Sequence, residues 1–204
     1  FPINRTFTTK ELGFETLIFN SVAAQMSRGK SEKTVAFAMS SVAATLSKFS
    51  MDVCLYMSQN FDFISLPSHL TTGSSIMPHK KNPDVFELIR GKCNKIQALP
   101  YEITLITNNL PSGYHRDFQL LKEGLFPAIQ NLKACLDIAI FAIKDIKVKD
   151  NILTDKKYDY LFTVDTLNEM VVAGNPVRDA YKAVAEQLEN GTFLSPKETK
   201  HTHE

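Results

Sequence analysis

An all-α fold is predicted by three observations: apolar residues return at helical intervals through four long stretches, Gly, Pro and Asn punctuate the gaps between them, and period-two alternation is nearly absent. From Thr8 to Arg28, Leu12, Leu17, Ile18, Val22 and Met26 approximate the helical i, i+4 rhythm, and Gly29 stops it with a lysine after it. A second helix is expected over Glu32 to Asn60. It is rich in Ala, Ser, Val and Met and apolar around most of its circumference, as a helix buried inside a larger bundle is. The polar stretch "DFISLPSHLTTGSSIMPHKK" then reads as a long loop, and loops of that length inside a compact domain usually carry function. Asn82-Pro83 reads as N-cap and first helical position, with Asp84 and Glu87 in the opening turns, and this helix is expected to reach about Asn108. After a second notable loop, "NNLPSGYHRDFQ", a long helix follows in which Pro127 is placed to kink or restart the chain.

Beyond "KVKDNILTDKKY" the pattern changes to two short amphipathic helices, separated by Gly174-Asn175-Pro176 and ended by Gly191. The division expected is therefore a helical-bundle segment over residues 1–147, carrying the loop at 71–83, and a small helical domain with a polar tail over 148–204. The tail "PKETKHTHE" is expected to fray, and its His201 and His203 carry no role.

Composition narrows the function. At 204 residues, 44% hydrophobic, the chain can bury a real core, which excludes a disordered binding segment. Its 23 basic residues almost balance 22 acidic ones, so no global field draws nucleic acid or an acidic membrane surface. Cys54, Cys93 and Cys135 are widely spaced within apolar helical patterns, which suits buried thiols in a reducing compartment better than disulfides or a zinc site. No apolar run is read as spanning a bilayer and no leader pattern opens the chain, so a cytoplasmic protein is expected.

The stretch "TTGSSIMPHKKNPDVFELIRGK" holds the chemistry. Gly73, the hydroxyls of Ser74 and Ser75, the Lys80 ammonium and a helix opening at Asn82-Pro83 together make a site for a carboxylate. A serine hydroxyl is a weak base unless its alkoxide is stabilised, and a fixed cation beside helix amides provides such stabilisation. Spacing alone leaves an equal alternative, a Ser/Gly loop before a capped helix with His79, Lys80 and Lys81 as solvated surface.

Residues 73–83, "GSSIMPHKKNP", resemble the GSSxMPxKxNP signature of the fumarase/aspartase superfamily, whose members split C–N or C–O bonds by β-elimination and release fumarate. The continuation "KKNPDVFELIRGK" is similar to the branch that cleaves argininosuccinate, "LPSGYHRDFQLLKE" resembles that family's L-P-x-x-Y-N-R-D-x-Q-x-x-K-E stretch, and "FPINR" its L-P-I-D-R. The likeness runs from Phe1 to about Gly191 and corresponds to the C-terminal half of a lyase. It implies that Ser74 moves the Cβ proton, that Lys80 stabilises the aci-carboxylate, and that Glu87 pairs with a catalytic histidine lying upstream. Asn82, Tyr114, Gln119 and Lys122 would bind substrate, with no metal or organic cofactor.

The plainer readings stay beside these. Glu87 could pair with Arg90 or Lys92 along its own helix, Tyr114 could be a packing aromatic, Lys122 a solvated helix residue, and Arg5 and Arg28 surface arginines. Asp117 could be only a loop-to-helix cap, and His69 is read as solvated. The chain departs from the family at "VAAQMSRGKSEK" (residues 22–33), at His115 where Asn is usual, and at Leu120-Leu121 where an acidic pair is common. The resemblance further implies a homotetramer of long helices whose active sites are shared between subunits. A sister lyase acting on another succinylated amine and a non-catalytic, crystallin-like relative are the alternatives.

Overall fold

The protein is seen in a computed structural model that describes residues 2–77 and 79–196. It divides into two compact units, Phe1–Lys147 and Val148–Glu204.

In the first unit, α1 (Arg5–Glu11) and α2 (Ser21–Met26) take the place of the single helix expected from Thr8 to Arg28. The chain leaves α1 through Gly13, whose φ of +76° no side-chain-bearing residue adopts comfortably, and the Gly13 and Phe14 amides close back on the carbonyls of Lys10 and Thr9. Helix resumes only at Asn20, whose side chain accepts the amides of Val22 and Ala23. Periodicity alone bridges a stretch that backbone chemistry splits.

Three long elements build the core. Helix α3 (Lys30–Tyr56) buries Ala36, Met39, Ala43, Leu46, Ser47, Ser50 and Val53 along one stripe. Helix α4 (Asp84–Gln97) buries Phe86, Ile89, Cys93 and Ile96. Helix α6 (Leu121–Ile143) buries Leu121, Leu125, Ala128, Leu132, Cys135, Ala139 and Ala142, a strict alternation of four and three residues. The small residues on α3 let α4 approach closely, and these two helices share the most extensive contact in the unit. Ser47 donates to the Asn94 side chain at 2.7 Å, while fully buried Ser50 returns its hydroxyl to the Leu46 carbonyl at 2.8 Å, so neither hydroxyl is stranded. Phe86 stands edge-on to Phe49 with ring centroids 5.9 Å apart.

The helix expected to run from Asn82 to Asn108 is two helices, α4 and α5 (Leu99–Thr107), separated at Ala98. Pro100 has no amide to offer the preceding turn, and the Tyr101 and Glu102 amides fall back on the Ala98 carbonyl. Pro127, by contrast, sits inside an unbroken α6, early enough that its ring disturbs only the first turns. Helices α5 and α6 cross closely at Gly124, where an added Cβ would come within 2.8 Å of the Glu102 carboxylate and 3.0 Å of Leu99.

The stretch 116–143 has the length and apolar composition of a bilayer-crossing helix, contrary to the expectation that no such run exists. One stripe of it packs on α4, α5 and α3, while 28% of its apolar window is buried within the unit.

Cys93 and Cys135 meet in this core, and the Cys93 thiol is pushed up to about 12, first by burial and then by its neighbour Cys135. Cys54 is only half-buried, not wholly inside as its apolar context suggested. Between α3 and α4 the long loop contains a two-residue strand, Ile64–Ser65, and a single 3-10 turn, Ser68–Leu70.

The second unit is a 3-10 segment, Lys156–Phe162, followed by α7 (Thr163–Val172) and α8 (Val177–Glu189). Gly174 at φ +98° and the Asn175 side chain, bonded to the Met170 carbonyl at 2.9 Å, turn the chain between the two helices. Phe162, Ala180 and Val184 are buried within it. The tail from Lys197, with His201 and His203, lies outside the described residues.

Candidate active site

The loop between Thr72 and Asn82 is closed at its base. Thr72 and Asn82 exchange backbone hydrogen bonds, amide to carbonyl in both directions at 3.2 and 2.9 Å, and the Thr72 hydroxyl donates to the Asp84 carboxylate. Asn82 is therefore not the N-cap expected of it: its backbone is engaged in this bridge in extended form. Pro83 occupies the cap position, and its carbonyl receives the first amides of α4, from Phe86 and Glu87.

Within that closed loop, half-buried Ser74 accepts hydrogen bonds at its Oγ from the amides of Ile76 and Met77, both at 3.2 Å. Two donors on one hydroxyl oxygen favour the charge it would carry as an alkoxide and leave its own proton available for transfer. The bonds come from residues two and three positions on, so "SSIM" is enough sequence to build them.

A cleft of about 660 Å³ opens between this loop and the C-terminal end of α3. Lys80, Asn82 and Glu87 line it, as do His79 and Lys81, with Cys54, Ser58 and Gln59 on the facing wall. Three of the residues singled out from sequence thus share one cavity, with cationic side chains at one wall and the acids Asp62 and Glu87 elsewhere on its lining. The facing wall was not foreseen. Its only signal was position: the last turns of α3 lead directly into the loop that returns to the signature.

Glu87 is exposed and makes no ion pair among the described residues, while Arg90, its expected alternative partner, instead sets its guanidinium against the Met51 sulfur at 3.0 Å. A carboxylate that lines a cleft without an intrahelical partner is available to another group there. Cys54 feels both neighbours: burial raises its thiol pKa, Arg90 opposes that, and Glu87 adds to it.

Tyr114, Gln119 and Lys122 fall on a second segment and do not line that cleft. All three side chains are exposed, Tyr114 at 63%. His115 bonds the Pro111 carbonyl through Nε2 at 2.8 Å, which tightens the loop ahead of the 3-10 turn Arg116–Gln119. Phe118 in that turn is buried, and Arg28 reaches across to donate from Nη2 to the Phe118 carbonyl at 3.2 Å while its guanidinium lies 5.3 Å from the centre of the same ring. Arg28 is therefore a structural clamp and not a free surface arginine. Arg5 similarly donates to the Phe19 carbonyl at 3.0 Å. The departure at Leu121 has a packing reason: it is the first buried position of α6, where an acid would be stranded. His69 stands 3.5 Å from the Asp145 carboxylate with its ring edge toward Phe141, away from the cleft lining.

Long packed helices, with the serine loop bridged beside a cleft that Lys80, Asn82 and Glu87 line and Ser74 does not, make an all-α bundle scaffold of the fumarase/aspartase type. A solved EDDS lyase in complex with formate superposes with a TM-score of 0.75 over 94% of this chain and 39% of its own, at 22% identity. The sequence profile of the family described as Lyase matches residues 2–98. Across all 204 residues the chain is 57% identical to the argininosuccinate lyase of Parabacteroides distasonis and 54% identical to that of Bacteroides thetaiotaomicron. The chain is thus similar to this lyase family along its whole length. It spans about half the length of the curated relatives it matches, 46% of each.

Proposed function

We propose that the intact protein is an argininosuccinate lyase, cleaving argininosuccinate reversibly to arginine and fumarate in arginine biosynthesis. The observation that carries this reading is the identity of 57% and 54% to two argininosuccinate lyases along the entire chain, with the serine loop and Lys80-Lys81-Asn82-Pro83 included in that span.

In this mechanism Ser74 acts as the alkoxide, its hydroxyl proton already given up and its oxygen held by two amides, and takes the proton from Cβ of the succinyl moiety to become a hydroxyl again. The electrons of that C–H bond collect on the adjacent carboxylate, which becomes a doubly negative aci form stabilised by Lys80. They then form the Cα=Cβ double bond as the Cα–N bond breaks. The departing guanidine keeps the bonding pair and takes up one proton, so little acid assistance is needed. Asn82 bonds the substrate beside Lys80, and Tyr114, Gln119 and Lys122 hold its carboxylate and guanidine ends. Glu87 pairs with a histidine from elsewhere in the assembly and raises its basicity. In this reading each complete site draws on more than one copy, in a cytoplasmic homotetramer that uses no metal or organic cofactor.

The test is the ultraviolet absorbance of fumarate after argininosuccinate is added to the intact protein and, in parallel, to the 204-residue chain. Release by the intact protein alone supports the reading with a shared site. Release from a different succinylated amine, but not from argininosuccinate, would replace it with a sister lyase. No release from any substrate would leave a crystallin-like structural relative.

A further inference from the structure

We propose that Arg28 is a positioning residue for substrate binding: by clamping Phe118 it aims the segment that carries Tyr114, Gln119 and Lys122. The inference rests on the lyase reading for what that segment binds, but the clamp itself is independent of it.

Three observations converge on Phe118. Its ring is 5% exposed and so anchors the 3-10 turn Arg116–Gln119 into the unit. Arg28 seizes the same residue twice, by a charged hydrogen bond to its carbonyl at 3.2 Å and by stacking at 5.3 Å over its ring, across 90 positions of sequence. Arg28 is itself held in place. The next residue, Gly29, adopts φ +83° and lies so close to α5 that a Cβ there would meet Thr107 at 2.4 Å and the Phe118 ring at 3.7 Å. Its amide donates to the Glu32 carboxylate at 2.7 Å, which fixes the start of α3.

The geometry of the clamp matters because of what flanks it. Gln119 is the next residue, and Lys122 lies one turn on, in α6. The Phe118 carbonyl sits where the tight 3-10 turn opens into the wider α-helix, so its direction helps set how the first turn of α6 is presented. A planar guanidinium can donate in its plane and stack by its face at once, whereas a lysine cannot combine the two. The loop ahead of the turn, with Gly113 at φ +138° and Asn109 at φ +53°, has no buried side chain of its own between Asn109 and Arg116. Leu110 packs partly buried against the core and His115 bonds the Pro111 carbonyl, so Tyr114 is placed between that start and the anchored Phe118 turn.

The test uses the intact protein with Arg28→Met and the milder Arg28→Lys. Two readouts are taken: amide hydrogen exchange over residues 110–121, and steady-state kinetics with argininosuccinate alone and combined with Gln119→Ala. Expected are faster exchange over 110–121 with α4 unchanged, and a KM raised about tenfold or more with a smaller change in kcat, since small misplacements of binding groups can cost up to ~10²-fold. Arg28→Lys should fall between wild type and Arg28→Met. The double variant should be worse than Gln119→Ala alone by less than the full Arg28→Met factor, because Arg28 acts partly through Gln119 and partly through Tyr114 and Lys122. A merely structural arginine would lower stability and kcat together and would multiply with Gln119→Ala. Unchanged exchange over 110–121, unchanged KM, or multiplying effects would each overturn the proposal. Should wild type release no fumarate, the lyase reading fails, and the exchange result then decides the clamp by itself.

Discussion

At Ser74 the hydroxyl oxygen already accepts two amide hydrogens at 3.2 Å, an arrangement that stabilises negative charge before any substrate arrives. Among the described residues the loop is tied at its base through Thr72 and Asn82, its other hydrogen bonds lie within the loop itself, and Ile76 stands 86% exposed. Function and stability are therefore separable at this residue. Ser74→Ala in the intact protein is expected to lower kcat by about 10²–10⁴-fold, the range for losing a positioned proton-transfer group, while thermal unfolding shifts by no more than a few degrees. Turnover close to wild type, measured by fumarate absorbance, would remove this hydroxyl from the mechanism.

Among the elements, the junction between α2 and α3 is the most constrained. Gly29 combines a positive φ with a neighbour at 2.4 Å from any added Cβ, so two independent penalties coincide. Gly29→Ala is expected to destabilise the fold by about 1–3 kcal/mol, read as a lowered midpoint in urea or on heating. The shift should be accompanied by loosening of the Phe118 turn, since α5 and that turn meet the junction together. An unchanged midpoint would mean that the backbone here relaxes freely. The same logic explains why α4 and α5 are separate: Pro100 removes one amide from the ladder, and tertiary packing of Leu99 and Ile103 decides the direction in which the chain continues.

For the molecule as a whole, the conspicuous feature is how much apolar side chain the core leaves uncovered. On α3, Phe37 is 56% exposed, and on α6, Ile140 is 59% exposed, both on helices whose other face is already buried in the unit. Large apolar surface on long helices is what a helical assembly covers. In the proposed homotetrameric lyase, Phe37→Glu and Ile140→Glu are each expected to reduce the assembled mass measured by light scattering and to abolish fumarate release, with helical circular dichroism retained. Full-size assemblies from both variants would place the subunit contacts on other faces.

The sequence by itself determined the helical class and pointed to the serine loop, where local spacing left an equal alternative and the resemblance of residues 73–83 to the fumarase/aspartase signature tipped the reading toward Ser74, Lys80, Asn82 and Glu87. Heptad-like spacing marks a buried stripe, and a hydroxyl two or three residues from the amides it meets needs no distant partner. Only the tertiary structure decided what depends on residues far apart in the chain. Periodicity carried helices through Gly13 and Ala98, where a positive φ in one case and a missing amide in the other end them. Asn82 lost its capping role to a backbone bridge with Thr72, a pairing across the loop that no local pattern announces. Arg28 could not be told from a surface arginine until Phe118, 90 residues away, was folded beneath it, and Cys54 and Gln59 joined the cleft only once α3 had been laid against the signature loop. Short-range hydrogen bonding and apolar rhythm are written in consecutive residues, whereas clefts and clamps arise where separate stretches of chain are brought together by burial.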